Sequence, residues 1–179
     1  IDFARASVSP LSNEIPILNV LQMPYLYRDD EHMWNVLYSE IGDEIFDDFN
    51  DSEIEPLSFY TAGARNFYIS ALHFQYAMYY TKDEHTRVPE MQICSKVTFN
   101  KLSKEDKELI KEAAVESSVY EREIWAKKER MYENELIDKG VKINTLSASE
   151  RAHFKEVLEP LYEKYCKDYM DLINKINDK

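Results

Sequence analysis

Glycine is scarce in this chain. Three occur among 179 residues, at Gly42, Gly63 and Gly140, where about 7% would be typical. The glycine-rich phosphate loops, GxGxxG and the P-loop, are thereby excluded, because each needs several glycines within a few residues. The count is also low for a complete α/β protein with its full set of tight turns. Basic charge is short as well: 22 Lys and Arg face 34 Asp and Glu, a formal net charge of −12. No basic stripe is present to release phosphate counterions, so nucleic acid is not an expected partner, and anionic lipid is disfavoured. A small anionic ligand is not excluded, since the local field of a pocket can oppose the net charge. No run of about 18 apolar residues exists to span a membrane. Two cysteines, Cys94 and Cys166, stand far apart; one disulfide and two buried thiols are equally compatible with that spacing. The chain opens at Ile1-Asp2-Phe3-Ala4, already strand-like and without a methionine, so the lack of a signal peptide carries no information about location.

What is present is a core. Hydrophobic residues make up 44% and aromatics 13%, enough for one domain or two small lobes. Residues 2–9 alternate as a strand and run into a loop at Ser9-Pro10. Pro16 and Pro24 rule out one helix over 13–28, leaving a helical turn and an extended, buried Pro-Tyr-Leu-Tyr segment. A helix is expected over about 30–49, with apolar residues at three- to four-residue spacing from Met33 to Phe46. Two short strands follow at 56–60 and 65–69. Residues 71–80 are densely aromatic, helix or strand. Lys82-Asp83-Glu84 reads as a polar turn, and His85–Phe99 as a strand broken at Pro89. Ser103 caps a helix that should run to about Lys139 and stop at Gly140, with Leu109, Ala113, Ser117, Tyr120, Ile124, Met131 and Ile137 on one face. At 1.5 Å per residue it spans roughly 50 Å. A short strand at Val141–Ile143 follows. A helix capped by Ser147 or Ser149 should end near Leu158, broken by Pro160, with a last helix over about 161–176.

One arginine stands out. Arg65 follows the small turn Thr61-Ala62-Gly63-Ala64 between two apolar strands, and a guanidinium there can grip a carboxylate with two parallel hydrogen bonds. Surface charge is the ordinary role of an arginine, and the local pattern alone favours it. Asp-Glu-His occurs twice, at residues 30–32 and 83–85, but without zinc spacing; helix start or solvated turn is the expected role. No metal or other cofactor is expected. A lone Cys94 in an apolar run reads as core, and no nucleophile–base pair marks an enzyme.

Several spaced motifs together resemble one family. Asp2-Phe3-Ala4 with Ser9-Pro10-Leu11, Pro24-Tyr25-Leu26-Tyr27-Arg28-Asp29 with His32, then Gly63-Ala64-Arg65-Asn66-Phe67, are similar to solute-binding proteins of TRAP transporters, the DctP-like family. His85 with Pro89, Ser95-Lys96, Leu102-Ser103-Lys104-Glu105-Asp106 and Gly140-Val141-Lys142-Ile143 match its closing portion. The resemblance runs in two blocks, about 1–69 and 72–176. Between them the family carries a central piece of its second lobe, with a second arginine regarded as the main carboxylate clamp; here Ser70 runs straight into Ala71. Either the chain is a deletion product or the junction joins separated parts.

The resemblance implies a fold class of α/β type, the helix-rich part of a two-lobed periplasmic-binding-protein-like fold. Residues 1–69 would form part of the first lobe with a crossover strand near Arg65, and 70–179 the remaining strands, the long helix at about 103–139 and the terminal helices. It implies a non-enzymatic, periplasmic or extracytoplasmic receptor that hands an organic acid to TRAP membrane subunits. A sugar acid such as a hexuronate and a C4-dicarboxylate are the candidate ligands. Lipid anchoring stays open. Arg65, Ser9, Pro10 and Asn66 would face the ligand, with His85 and Arg87 contributing. Half of the clamp being absent, binding is expected to be impaired. The competing expectation is a structural remnant that self-associates as a homo-oligomer through its long helix.

Overall fold

The computed structural model describes residues 2–67 and 78–179. Two three-stranded sheets organise it. The first has the order β1-β5-β2, made of Phe3–Ser7, Glu90–Ser95 and Ile54–Tyr60, and both pairings are antiparallel. The second has the order β3-β4-β6, made of Arg65–Phe67, Tyr79–Thr86 and Lys142–Thr145, antiparallel between β3 and β4 and parallel between β4 and β6.

The chain passes between the sheets at two places, Thr61–Ala64 after β2 and Arg87–Pro89 before β5. A third connection is α5, Lys104–Asp138, which lies along both sheets. This mixed α/β architecture with a long helix is the one the sequence resemblance implies.

One face of the first sheet carries the main core. Met91 and Phe59 project together from it and meet Leu18, Leu21, Met33, Val36, Ile45, Phe49, Ile173 and Ile176, all buried. Each such side chain contributes roughly 1.5–3 kcal/mol by leaving water. Leu57 points to the opposite face, although Leu57 and Phe59 share parity. A bulge between Pro56 and Ser58 inserts one residue and reverses the alternation. Pro56 is tolerated because β2 is an edge strand. Leu57 thus joins Cys94, Phe99 and Ala114 beneath α5.

Several expectations are corrected. The helix over 30–49 is two helices, α2 at Asp30–Leu37 and α3 at Glu40–Asp47. Ser39 divides them: its hydroxyl donates to Val36 O at 2.8 Å and accepts the Ile41 N–H, so a local side chain competes with helix continuation. The halves approach so closely that a Cβ on Gly42 would lie 2.0 Å from Leu37 O.

Lys82-Asp83-Glu84 is not a turn but lies within β4, and Asp83 is buried. The Ser9-Pro10 loop is a short helix, α1 at Val8–Leu11, capped by Ser7. β5 ends at Ser95, and Lys96–Phe99 turn into the short helix α4. Pro160 does not break α6, which runs Ala148–Tyr165. Glu156 and Pro160 are both exposed, and on the solvent side of a helix water can take the place of the hydrogen bond that proline removes. α7 then spans Met170–Asp178.

α5 begins and ends where the caps predict. Ser103 accepts the Asp106 N–H, and Gly140 has φ +85°. Its apolar face, however, is misplaced in the sequence reading. Tyr120 is 67% exposed and Leu109 63%, whereas Ala114 and Ser118 are buried. The helix sits on the sheet through small residues and hydroxyls: Ser118 donates to Phe59 O, and Tyr60 and Gln92 each donate to Ser117 Oγ.

Both cysteines are free and buried. Among the described residues no helix is long and apolar enough to cross a membrane. The expected strand or helix over 71–80 and the Ser70–Ala71 junction lie outside the described residues, apart from Met78–Tyr80.

Candidate functional site

The crossing segments carry the charged residues. Thr61–Ala64 turns on Gly63, whose φ is +72° and where an added Cβ would meet Trp125 Nε1 at 2.7 Å and Glu129 Oε1 at 2.8 Å. Glycine is required on both counts, conformation and close approach. Gly63→Ala is expected to destabilise the chain by about 1–2 kcal/mol from the left-handed backbone alone, with a shift in tryptophan emission as Trp125 is displaced. An unchanged urea midpoint would contradict this.

Arg65 starts β3 directly after this turn and pairs through its backbone with Thr86 of β4. Its side chain is exposed and, among the described residues, has no ion-pair partner. Thr86 lies between His85 and Arg87, so strand pairing brings three of the six candidate residues to one place. Asn66 follows Arg65 in β3.

His85 Nδ1 lies 2.8 Å from Asp83 Oδ2, and the His85 carbonyl accepts the Tyr25 N–H at 2.8 Å. Ser9 and Pro10 reach the second crossing through α1, whose Val8 N–H bonds Pro89 O at 3.4 Å. Ser9 is half-buried and Pro10 exposed.

Arg87, unlike Arg65, is held by two carboxylates. Its Nε donates to Asp30 Oδ1 and its Nη2 to Glu84 Oε2, both at 2.7 Å, and the side chain is 5% exposed. Glu84 Oε2 also accepts from Arg151 Nη1 at 2.7 Å. Burial pushes the Glu84 carboxyl up, but Arg87 and Arg151 outweigh it and hold it below the usual carboxylate range. Burial likewise opposes the Arg87 charge, and Glu84 and Asp30 overcome it.

A second cluster gives no signal in the sequence. Arg5 of β1 pairs with Glu90, donates to Thr61 O at 3.0 Å, and stacks over Tyr60 at 5.0 Å. Glu121 of α5 accepts the Thr61 N–H at 3.3 Å, while its Oε1 lies 3.6 Å from Arg5, too far for a hydrogen bond. Burial raises the Glu121 carboxyl, and Glu129 beside Trp125 is raised for the same reason. Nothing in the spacing of Arg5 or Glu121 sets them apart from surface charges. Among the described residues no group of His, Cys, Asp and Glu is arranged to hold a metal ion.

Two sheet-centred units linked by crossing segments and a long helix define a two-lobed α/β fold. The chain belongs to the DctP family, described as bacterial extracellular solute-binding protein, family 7; the family model matches residues 1–73 and 67–168. These two blocks meet at the Ser70–Ala71 junction. The family is a transport class, not an enzyme class.

A curated solute-binding protein of Chromohalobacter salexigens is 21% identical over 241 positions, covering 99% of this chain and 71% of the relative. Among solved structures, a TRAP periplasmic solute-binding protein from Sulfitobacter sp. NAS-14.1 with bound β-D-galacturonate aligns with a TM-score of 0.87 at 22% identity, covering 100% of this chain and 81% of that one. Another, from Pseudomonas putida F1 with bound D-glucuronate, aligns with a TM-score of 0.83 at 24% identity, covering 99% and 78%. At these identities the structural likeness establishes the fold.

Proposed function

We propose that this chain is an extracytoplasmic receptor for a sugar acid, a hexuronate, delivered to the membrane subunits of a TRAP-type transporter. The observation that carries the reading is Arg65, exposed and without an ionic partner among the described residues, at the crossing where β3 meets the end of β4. A guanidinium held there presents parallel donors to a carboxylate. In this reading His85, which adjoins Arg65 through the β3–β4 pairing, and Ser9 of α1 contribute to the rest of the ligand site. Closing the two units around the acid removes water and strengthens the charge-assisted bonds; closure is then the state a membrane partner reads. Support for the ligand class comes from the solved relatives that hold galacturonate and glucuronate.

Binding by this chain is weakened in this reading. The relative from Chromohalobacter aligns over 241 positions against a chain of 179 residues, and the family match breaks at residues 67–73. In this reading those extra positions hold the segment that brings the second arginine of the clamp. Isothermal titration with D-glucuronate, D-galacturonate and a C4-dicarboxylate tests both parts. The expected result is a preference for the hexuronates with an affinity weaker than micromolar. Sub-micromolar affinity would overturn the weakened clamp, and preference for the dicarboxylate would overturn the ligand class.

A further inference from the structure

We infer that Arg87 is a rivet between the two units, a positioning residue that sets how readily they move relative to each other, and not a ligand cation. Its two carboxylate partners come from different units. Asp30 opens α2, which packs on the core of the first sheet, and Glu84 belongs to β4 of the second. Arg87 itself lies on the segment that crosses between them. Each of its bonds is 2.7 Å long, so one planar guanidinium spans the joint with fixed geometry. Arg151 of α6 holds Glu84 from the other side, giving an alternating chain of Asp30, Arg87, Glu84 and Arg151.

The backbone beside it is strained in the same place. Among the described residues only Tyr25 and Glu84 are non-glycine residues at positive φ, +57° and +49°, and Tyr25 N–H bonds the carbonyl of His85, next to Glu84. Left-handed conformations at such residues persist where the surroundings hold them, and they gather at switch regions. Tyr25 is further fixed by its ring, stacked on Phe154 of α6 at 5.9 Å. The joint is charge-matched and strained, with Arg87 and Glu84 largely covered and Asp30 57% exposed; two arrangements of the units can differ in energy there, since a guanidinium cannot slide between carboxylates without passing through an unpaired state.

The inference rests on the reading of the chain as a receptor whose units close, but its test needs no ligand. Nitroxide labels on Asp51→Cys and Asn144→Cys, exposed sites on the first and second units, report the distance between units by double electron–electron resonance; Cys94 and Cys166 are buried. The wild-type chain should give one narrow distribution. Arg87→Gln and Asp30→Asn should each add a second population at a different distance, and Arg87→Lys, which offers a point charge in place of the fork, should fall between. A role in stability alone would lower the melting temperature and leave the distances unchanged. Superimposable distributions in Arg87→Gln and Asp30→Asn would overturn the rivet. Should Arg87→Gln fail to fold, Asp30→Asn carries the test, because it leaves Arg87 held by Glu84. A new population in these variants without any response to hexuronates would keep the rivet and remove the receptor reading.

Discussion

Replacing Arg65 by alanine should weaken hexuronate binding by roughly 30-fold or more, the consequence of losing about 2–5 kcal/mol when one partner of a desolvated charged contact is removed. Folding stability should barely change, within about 0.5 kcal/mol, since the side chain is exposed and exposed substitutions away from special contacts cost little. That split is the signature of a binding role. A structural arginine would give the reverse, lost stability with affinity following it. Arg65→Lys should recover part of the affinity and no more, because an ammonium keeps the charge but loses the planar fork. Titration of the three proteins beside a urea melt of each makes the comparison. Equal affinity in wild type and Arg65→Ala would move the ligand cation elsewhere.

The largest effect on stability is expected at Phe59. Its side chain is 2% exposed and its ring stacks on Phe46 with centroids 4.7 Å apart. It stands opposite Met91 on the core face of the first sheet. Truncation to alanine leaves a cavity there and should cost about 3–5 kcal/mol, a large share of the 5–15 kcal/mol that holds a typical domain. The strand itself should stay in place, because Ser118 and Tyr38 both donate to the Phe59 carbonyl; the loss therefore belongs to the side chain. Tyr120→Ala is the control. Sequence periodicity puts Tyr120 on a packed face and the structure puts it in solvent, so its expected cost is within about 0.5 kcal/mol. A guanidinium melt in which Tyr120→Ala costs as much as Phe59→Ala would refute the observed seating of α5.

The fate of these two aromatics shows where sequence reading works. Local chemistry is legible: Ser103, Gly140 and Ser147 marked their helix ends because capping involves atoms within a few residues. The turn before Arg65 is legible for the same reason, one glycine in a run of small residues between apolar strands. What failed depends on distant partners. Lys82-Asp83-Glu84 looks like a turn by composition, yet Arg87, Arg151 and Glu133 from elsewhere satisfy Glu84 and Lys82 within a strand. Pro160 reads as a breaker, but an exposed helix tolerates it.

The packed face of α5 is not the one its large apolar residues mark. A close sheet instead selected alanine and serine at 114, 117 and 118. The resemblance implies a ligand role for Arg87; of the two carboxylates that hold it, Glu84 lies 3 positions away in the chain and Asp30 lies 57 away, and the second is beyond what spacing can reveal. Ser39 is an intermediate case. A serine at the junction of two helical runs is a cap signal, and the continuous apolar periodicity across it masked the break.

The receptor reading turns on whether a carboxylate is held at Arg65. The most direct measurement follows amide chemical shifts of the 179-residue chain during addition of D-glucuronate, in the wild type and in Arg65→Ala. Saturable shifts centred on Arg65 and Asn66 in β3 and on His85–Arg87, present in the wild type and lost in the variant, are the expected result. The same shifts in both proteins, or none in the wild type with any of the hexuronates, would contradict it.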